Sequence, residues 1–306
     1  SANATIDTCD VPAGCFGRYP KDIHTNNLSR ERSREVAGSL ILDGYKEAVA
    51  EFFNARSNYS HSGLHARMAE RVLRLARPQP DERVLDIATG TGFVSIPAAR
   101  LVGEQGTVVG VDISPGMLKQ AKAAVMAVGL SNIELVQADA EDVDYPESSF
   151  DLVTCCNALP YMADVAGALR HWQLLLRQGG RLVFNCWAED SHATGRLLRT
   201  VAASHGIEVA VIGRDTGTPE RCRNILAAAG YVRHEVVIEP TTTYLSVDRL
   251  GDVLESALKS PLYGIASADV IRLIEMREEY MAKTRSPAVR KSLDEELGAY
   301  FVLAYK

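Results

Sequence analysis

The chain has 306 residues, of which 46% are hydrophobic and 24% are charged, and its formal net charge is −6 at pH 7. This length suits one α/β domain with insertions, and the apolar fraction is sufficient for a substantial core. The negative charge argues against binding to a nucleic-acid backbone, which favours a basic surface, although a local basic patch stays open.

No apolar run approaches ~20 residues, so no membrane span is expected. The first residues lack a basic region followed by a long apolar stretch, so no secretory signal is expected either. The six cysteines show no C-x-x-C spacing, which favours free thiols over disulfides or a metal site. We therefore expect a cytoplasmic protein.

The first part of the chain predicts an arm followed by helices. Residues 1–27 are rich in Asp, Asn, Gly and Pro and predict a loop or arm. Apolar residues recur at helical spacing over 28–54, and a second helix is predicted over 65–76, where Pro78 and Pro80 end it.

A glycine-rich turn follows the first predicted strand. The apolar strand at 83–88 leads directly into Gly90 and Gly92, and a helix is predicted over 94–102. This order brings backbone N–H groups and a helix N-terminus close to a ligand. Asp112 lies near the end of the next strand, predicted over 107–113, where a carboxylate can accept hydrogen bonds from a ribose. The pattern therefore indicates a nucleoside-containing cofactor.

The following elements alternate between strand and helix. Ser114 and Pro115 predict the start of a helix, and Gly129 predicts its end. Further strands are predicted over 133–138, 150–157 and 181–187. Such alternation predicts a parallel, doubly wound sheet.

The last third is less regular. Helices are predicted over 193–204 and 219–229, and strands over 232–238 and 299–305. Residues 240–298 separate the last two strands and contain two or three amphipathic helices. A hairpin connection needs only a few residues, so this segment is a large insertion.

The turn differs from a dinucleotide-binding turn. Ser95 stands where the fingerprint G-x-G-x-x-G requires its third glycine. Asp86 lies at the strand end, where its charge would repel a pyrophosphate. It suits a ligand that is cationic in this region, such as the amino group of S-adenosylmethionine.

The pattern D-x-x-x-G-x-G in VLDIATGTG, with the acidic residue of VVGVDISPGML, resembles the class I S-adenosylmethionine-dependent methyltransferases. It looks most like the ubiquinone/menaquinone C-methyltransferase-like group of small-molecule methyltransferases. IELVQADAED, FDLVTCCNALPYM and LLRQGGRLVF resemble the later motifs of that group, in order and at its spacing. Gln178 replaces the usual proline of the last motif, which affects the stiffness of the turn. The resemblance covers about residues 54–186 and the last strand.

The resemblance implies a seven-stranded, mostly parallel Rossmann-like sheet whose last two strands are antiparallel. It implies S-adenosyl-L-methionine as cofactor, with S-adenosyl-L-homocysteine as product. Asp112 is then expected on the ribose hydroxyls and Asp139 near the adenine amino group. The full expected cofactor-binding set is Tyr59, His65, Asp86, Ala88, Thr89, Gly90, Gly92, Asp112, Ile113, Met117, Asp139, Ala140, Asn157 and Ala158.

The acceptor is expected at the same edge of the sheet, because ligands of open α/β sheets bind outside the carboxyl ends of the strands. The loops after the fourth and fifth strands carry Tyr161 and Trp187, which we expect in the substrate pocket. The N-terminal helices and the 240–298 insertion are expected to cap this edge, with peripheral packing or a dimer surface as the alternative.

A sulfonium cofactor supplies the reactive methyl group, so the protein mainly orients and desolvates the reactants. An oxygen or carbon acceptor usually needs a proton removed. His192 follows the fifth strand and is the candidate base, with a solvent-facing loop histidine as the alternative. Tyr59 and His65 precede the first strand, and the Tyr59 ring could attract the sulfonium; packing of the N-terminal helix is the alternative.

Other functions stay open. Nucleic-acid amino-methyltransferases carry N-P-P-Y after the fourth strand, whereas this chain has Asn157-Ala158-Leu159-Pro160-Tyr161. Arsenite methylation needs converging thiols, but adjacent strand residues such as Cys155 and Cys156 point to opposite faces. A nicotinamide oxidoreductase and a non-catalytic S-adenosylmethionine-binding protein are further alternatives.

We expect an S-adenosylmethionine-dependent methyltransferase that acts on a carbon, oxygen or nitrogen atom of a small apolar or aromatic metabolite. Such an enzyme would serve secondary or cofactor metabolism, for example natural product biosynthesis, and would bind neither metal nor nucleic acid. The expected units are an N-terminal cap (1–54), a cofactor-binding core (55–239 with 299–306) and a helical insertion over the substrate (240–298). A homodimer is left open.

Overall fold

The computed structural model describes residues 42–57, 63–189, 193–241, 250–265, 268–287 and 297–306. At its centre lies a seven-stranded sheet with strand order β3-β2-β1-β4-β5-β7-β6. Its strands are β1 Arg83–Ile87, β2 Thr107–Asp112, β3 Ile133–Gln137, β4 Phe150–Cys155, β5 Leu176–Trp187, β6 Arg233–Thr241 and β7 Leu297–Tyr305.

Strand direction divides the sheet into two parts. The pairs β3-β2, β2-β1, β1-β4 and β4-β5 are parallel, whereas β7 is antiparallel to both β5 and β6. The chain order reverses between β1 and β4, and the carboxyl ends of these strands therefore border a crevice suited to a ligand. The prediction of a doubly wound, mostly parallel sheet of seven strands is confirmed.

Helices cover both faces of the sheet. They are α1 Gly44–Asn54, α2 Gly63–Ala76, α3 Ser95–Val102, α4 Pro115–Val128, α5 Val165–Leu175, α6 Ala193–Ser204, α7 Pro219–Ala228, α8 Leu250–Lys259 and α9 Val270–Thr284, with short 3₁₀ turns at Leu159–Tyr161 and Pro261–Tyr263. No helix within these described segments is long and apolar enough to cross a membrane.

The caps of α4 are those that the sequence predicts. The Ser114 hydroxyl accepts a hydrogen bond from the Met117 N–H at 3.1 Å, and Pro115 occupies the first turn. Gly129 ends the helix with a φ of 69°, a left-handed conformation that glycine adopts without strain.

Several predicted boundaries are wrong, for local reasons. One helix over 28–54 is not formed, because Asp43 is extended and caps α1 by accepting from the Lys46 N–H at 2.8 Å; residues 28–41 lie outside the described segments. β1 and β4 end before Ala88 and Asn157, whose φ angles of 52° and 58° leave the extended conformation.

The hydrophobic core has two layers around the sheet and a third cluster beside it. Along β1, Leu85 and Ile87 pack towards α5 and α7, whereas Val84 packs towards α2 and α3. Burial on both faces explains why the parallel strands are continuously apolar. The third cluster joins α8 and α9 to α6, and its members include Leu198, Val201, Leu254, Met276 and Tyr280.

The Trp172 side chain links the hydrophobic core to Ala140, which lines the crevice. Substitution of Trp172 tests how much this link contributes to the stability of the fold. Trp172 is fully buried, and its Nε1–H donates to the Ala140 carbonyl at 2.7 Å. We expect Trp172→Phe to lower the free energy of unfolding by about 2–4 kcal/mol, because it leaves a small void and an unpaired carbonyl. Chemical denaturation measures this loss, and an unchanged midpoint and slope would contradict it.

Candidate functional site

The turn after β1 forms the floor of the site. Its backbone is unusual: φ is positive at Ala88, Gly90 and Gly92. A Cβ atom on Gly92 would lie 2.8 Å from Cδ1 of Ile96, so a larger residue would force that side chain to shift. The turn is held by the Thr89 N–H, which donates to the Val111 carbonyl at 2.9 Å.

Asp86 is buried beneath this turn and fastens it. The hydroxyls of Thr89 and Thr154 donate to its two carboxylate oxygens, each at 2.7 Å. Burial raises the pKa of Asp86 to about 6; the two hydroxyls oppose this shift, and the charge of Asp112 reinforces it. Asp86 therefore shapes the turn as well as lining the cavity above it.

Asp112 joins the ends of β1 and β2. Its carboxylate accepts from the Gly90 N–H at 2.8 Å and from the Ser114 N–H at 2.9 Å. Burial raises the pKa of Asp112 to about 6, although both N–H groups lower it. Each carboxylate oxygen has a further lone pair, so the group can accept ligand hydroxyls in addition to holding the turn.

A cavity of about 910 Å³, including its open mouth, lies above these carboxylates. The structure brings most of the expected cofactor residues to its wall, namely His65, Asp86, Ala88, Thr89, Gly90, Asp112, Ile113, Met117, Asp139, Ala140, Asn157 and Ala158, together with Tyr161. Gly92 shapes the turn from outside the wall, while Tyr59 and His192 lie outside the described residues.

A second cavity adjoins the first. Both are lined by Phe53, His65, Asn157 and Tyr161, so these four side chains mark where the cavities meet. Five Phe, Tyr and Trp side chains line the second cavity, and one of them, Trp187, belongs to it rather than to the first. The rest of the wall comes from α1 and the residues just after it, from α8 and the turn that follows it, and from two loop residues: Phe52, Arg56, Ser256, Ala257, Ser260, Leu262, Tyr263, Pro160 and Ile212.

Two asparagines fix one point of this junction. Asn157, with its positive φ, donates its N–H to Asn185 Oδ1 at 2.8 Å and accepts from Asn185 Nδ2 at 2.7 Å. Asn185 is fully buried in β5. Its amide therefore holds Asn157 in a conformation that costs energy for a residue other than glycine. Asn185 was not among the predicted site residues. The sequence feature that could have indicated its role is a polar residue within the apolar run LVFNCW.

The sequence is similar to those of known methyltransferases. Residues 84–180 match the methyltransferase domain family. Aklanonic acid methyltransferase DauC of Streptomyces sp. (strain C5) is 39% identical over 143 residues, which is 46% of this chain and 65% of DauC. The chain thus spans just under two thirds of that relative. These matches support a methyltransferase domain of the class I S-adenosylmethionine-dependent kind in this part of the chain.

Other members of this class show the same likeness. The ubiquinone/menaquinone biosynthesis C-methyltransferase UbiE of Shewanella frigidimarina is 29% identical over 191 residues, covering 62% of this chain and 74% of UbiE. Among solved structures, the YcgJ protein from Bacillus subtilis superposes with a TM-score of 0.51 at 19% identity, covering 78% of this chain and 98% of YcgJ. The structural likeness concerns the fold alone.

Helix α1 lines the first cavity, and no local sequence pattern predicts which of its residues do so. Lys46, Val49 and Phe53 line the cavity. The Lys46 ammonium forms ion pairs with the carboxylates of Asp139 and Glu141, the latter at 2.9 Å. No local pattern pairs Lys46 with carboxylates more than ninety residues away, so only the tertiary structure could find this contact.

The other end of α1 is also anchored. Asn54 Oδ1 accepts from the Ser114 hydroxyl at 2.7 Å and from the Gly116 N–H at 2.9 Å. A Cβ on Gly116 would lie 2.9 Å from this same oxygen, so the glycine permits the close approach. Helix α1 is therefore fastened at both ends across the cavity.

We expect Lys46→Gln to loosen α1, because its ion pairs with Asp139 and Glu141 are partly buried. Amide hydrogen exchange should become faster in Gly44–Asn54 and stay unchanged in the strands. Lys122→Gln, on the exposed side of α4, is the matched control. Equal protection of α1 in the two variants would show that the ion pairs do not hold the helix.

Proposed function

We propose that this protein transfers the methyl group of S-adenosylmethionine to a small aromatic or apolar acceptor. The observation that carries the proposal is the pair of adjoining cavities, which share Phe53, His65, Asn157 and Tyr161. A two-substrate transfer needs both reactants in contact and shielded from water, and such placement supplies much of the rate enhancement.

The first cavity fits the cofactor by its chemistry. Ile113, Met117 and Ala140 offer an apolar site for an adenine ring, and Asp112 offers a carboxylate for ribose hydroxyls. Asp86 places a second buried carboxylate where the cationic methionine part would lie. The bound cofactor would supply the methyl sulfonium, and these residues would hold it and exclude water.

The second cavity fits an aromatic acceptor. The rings of Phe53 and Tyr161 meet edge to face at 5.0 Å, and Phe52 stacks near Tyr161 at 6.5 Å. Such walls favour flat, apolar ring systems. The names of the relatives concern quinone biosynthesis and aklanonic acid, which supports an acceptor of this kind in secondary or cofactor metabolism.

His65 is the candidate hydrogen-bond acceptor for the second substrate among the described residues. It lies where the cavities meet, and burial lowers its pKa to about 4, with the charge of Arg56 adding to the effect. The imidazole is therefore neutral near pH 7 and can accept a hydrogen bond from an acceptor hydroxyl. His192 remains a prediction, as do Tyr59 at the cofactor, the cap role of 1–54 and 240–298, and the cytoplasmic location.

Binding of S-adenosylhomocysteine, measured by titration calorimetry, tests the cofactor assignment. We expect the parent protein to bind it and Asp112→Ala to bind about 10- to 100-fold more weakly, because charged hydrogen bonds to the ribose are lost. Asp142→Ala, an exposed carboxylate nearby, should bind like the parent. A folded parent that does not bind would contradict the proposal.

Transfer itself is tested with S-adenosylmethionine carrying a labelled methyl group and a panel of hydroxylated aromatic and quinone-like acceptors. Label in an organic-soluble product, absent without enzyme, is the expected result. Binding of the cofactor with no transfer to any acceptor would favour the non-catalytic alternative.

Cofactor affinity should also depend on pH. The pKa values of Asp86 and Asp112 are both about 6, and the ligand needs their ionised forms. We expect affinity to fall by about tenfold per carboxylate between pH 7.5 and pH 5.0.

The stability of the protein without ligand should change with pH in the opposite direction. The folded state holds these protons more tightly than the unfolded state, so their contribution to stability is lost as pH rises through about 6. Calorimetry and thermal unfolding across this range check both signs, and a pH-independent affinity would contradict the assignment.

A further inference from the structure

We propose that the acceptor is an organic anion and that the Arg56 guanidinium binds its negatively charged group within the second cavity. The inference rests on the proposed function and names the class of its acceptor: an aromatic body that carries a carboxylate or an ionised phenol.

Arg56 is built into the wall of this cavity. Its Cζ lies 4.3 Å from the centroid of the Phe52 ring and 5.3 Å from that of Phe53. Its Nη2 lies 3.5 Å from the Ser256 hydroxyl of α8, across the cavity wall. Its backbone carbonyl accepts from Gln120 Nε2 at 2.8 Å, which ties this segment to α4. The side chain is therefore placed by both the N-terminal and the C-terminal helices.

The charges of the two cavities are opposite in kind. Asp86, Asp112, Asp139 and Glu141 line the first cavity together with Lys46, which pairs with the last two, so its wall carries more negative than positive groups and suits a cationic cofactor. The described residues that line the second cavity include no Asp or Glu, and Arg56 is the charged residue among them. A positively charged group in a cavity wall favours an anion and disfavours a cation.

The field of Arg56 reaches the point where the cavities meet. Burial lowers the pKa of His65, and the charge of Arg56 lowers it further. Burial raises the pKa of Tyr161, and Arg56 opposes that shift. Both effects have the sign of a nearby positive charge that would equally stabilise an anionic acceptor.

The form of the guanidinium favours a planar anion. A guanidinium that lies over an aromatic ring directs its N–H groups in its own plane, which is the geometry that a planar anion accepts. A carboxylate can accept two parallel bonds from that edge, with its aromatic body against Phe52, Phe53 and Tyr161. The Ser256 hydroxyl, next to Nη2, adds a further donor.

Equilibrium binding of 2-naphthoate and its neutral analogue 2-naphthamide, to protein saturated with S-adenosylhomocysteine, tests the inference. The two probes share a ring system and differ in charge. We expect the parent to bind 2-naphthoate about tenfold or more tightly than 2-naphthamide. Arg56→Gln should remove this preference, and Arg56→Lys should retain part of it because it keeps the charge but loses the fork. Arg223→Gln, an exposed arginine on α7, is the control and should behave like the parent.

Each variant is first shown to bind S-adenosylhomocysteine, so that loss of fold is separated from loss of the anion site. Equal affinity of the parent for the two probes, or no measurable binding of 2-naphthoate, overturns the inference and leaves the cofactor site intact. A preference that persists in Arg56→Gln overturns it as well. Failure of the parent to bind S-adenosylhomocysteine counts instead against the proposed function.

Discussion

The site depends on two carboxylates buried at the ends of adjacent strands. Asp86 accepts from the hydroxyls of Thr89 and Thr154, and Asp112 accepts from the N–H of Gly90. These bonds hold a turn in which several φ angles are positive. Burial raises the pKa of both acids, and the charge of Asp112 adds to the shift of Asp86. Such a cost is usual at functional sites, where groups are arranged for a ligand rather than for stability.

Around this floor, each wall comes from a different part of the chain. Helix α1 covers the first cavity and is fastened by Lys46 at one end and by Asn54 at the other. Residues of the α8 region line the second cavity, and α8 packs on α6 and α9 through its own apolar cluster. The first cavity is therefore built mainly on the sheet, and the second mainly from helices beside it. Under the proposed function, such a division would allow the acceptor to vary while the cofactor site is kept.

The charged residues also differ between the two cavities. The carboxylates lie in the first cavity, and Arg56 lies in the second. A cationic cofactor and an anionic acceptor would then each meet a wall of opposite charge, and they would attract one another across the junction at His65. In a partly buried cavity such pairing is screened less than at the surface. Electrostatics can therefore contribute to the order and orientation of the two reactants.

The sequence alone predicted the sheet and the residues on the floor of the first cavity, because strands, turns and caps are local: a strand end, a glycine turn and an acid at the next strand end predict Asp86, Gly90 and Asp112 together. It missed the break at Asp43, where one side-chain cap outweighs a helical pattern. It also missed Lys46 and Arg56. Only the tertiary structure brings these two side chains to the cavities, because they make contacts far away in the chain: Lys46 with Asp139 and Glu141 in the loop after β3, and Arg56 with Ser256 of α8.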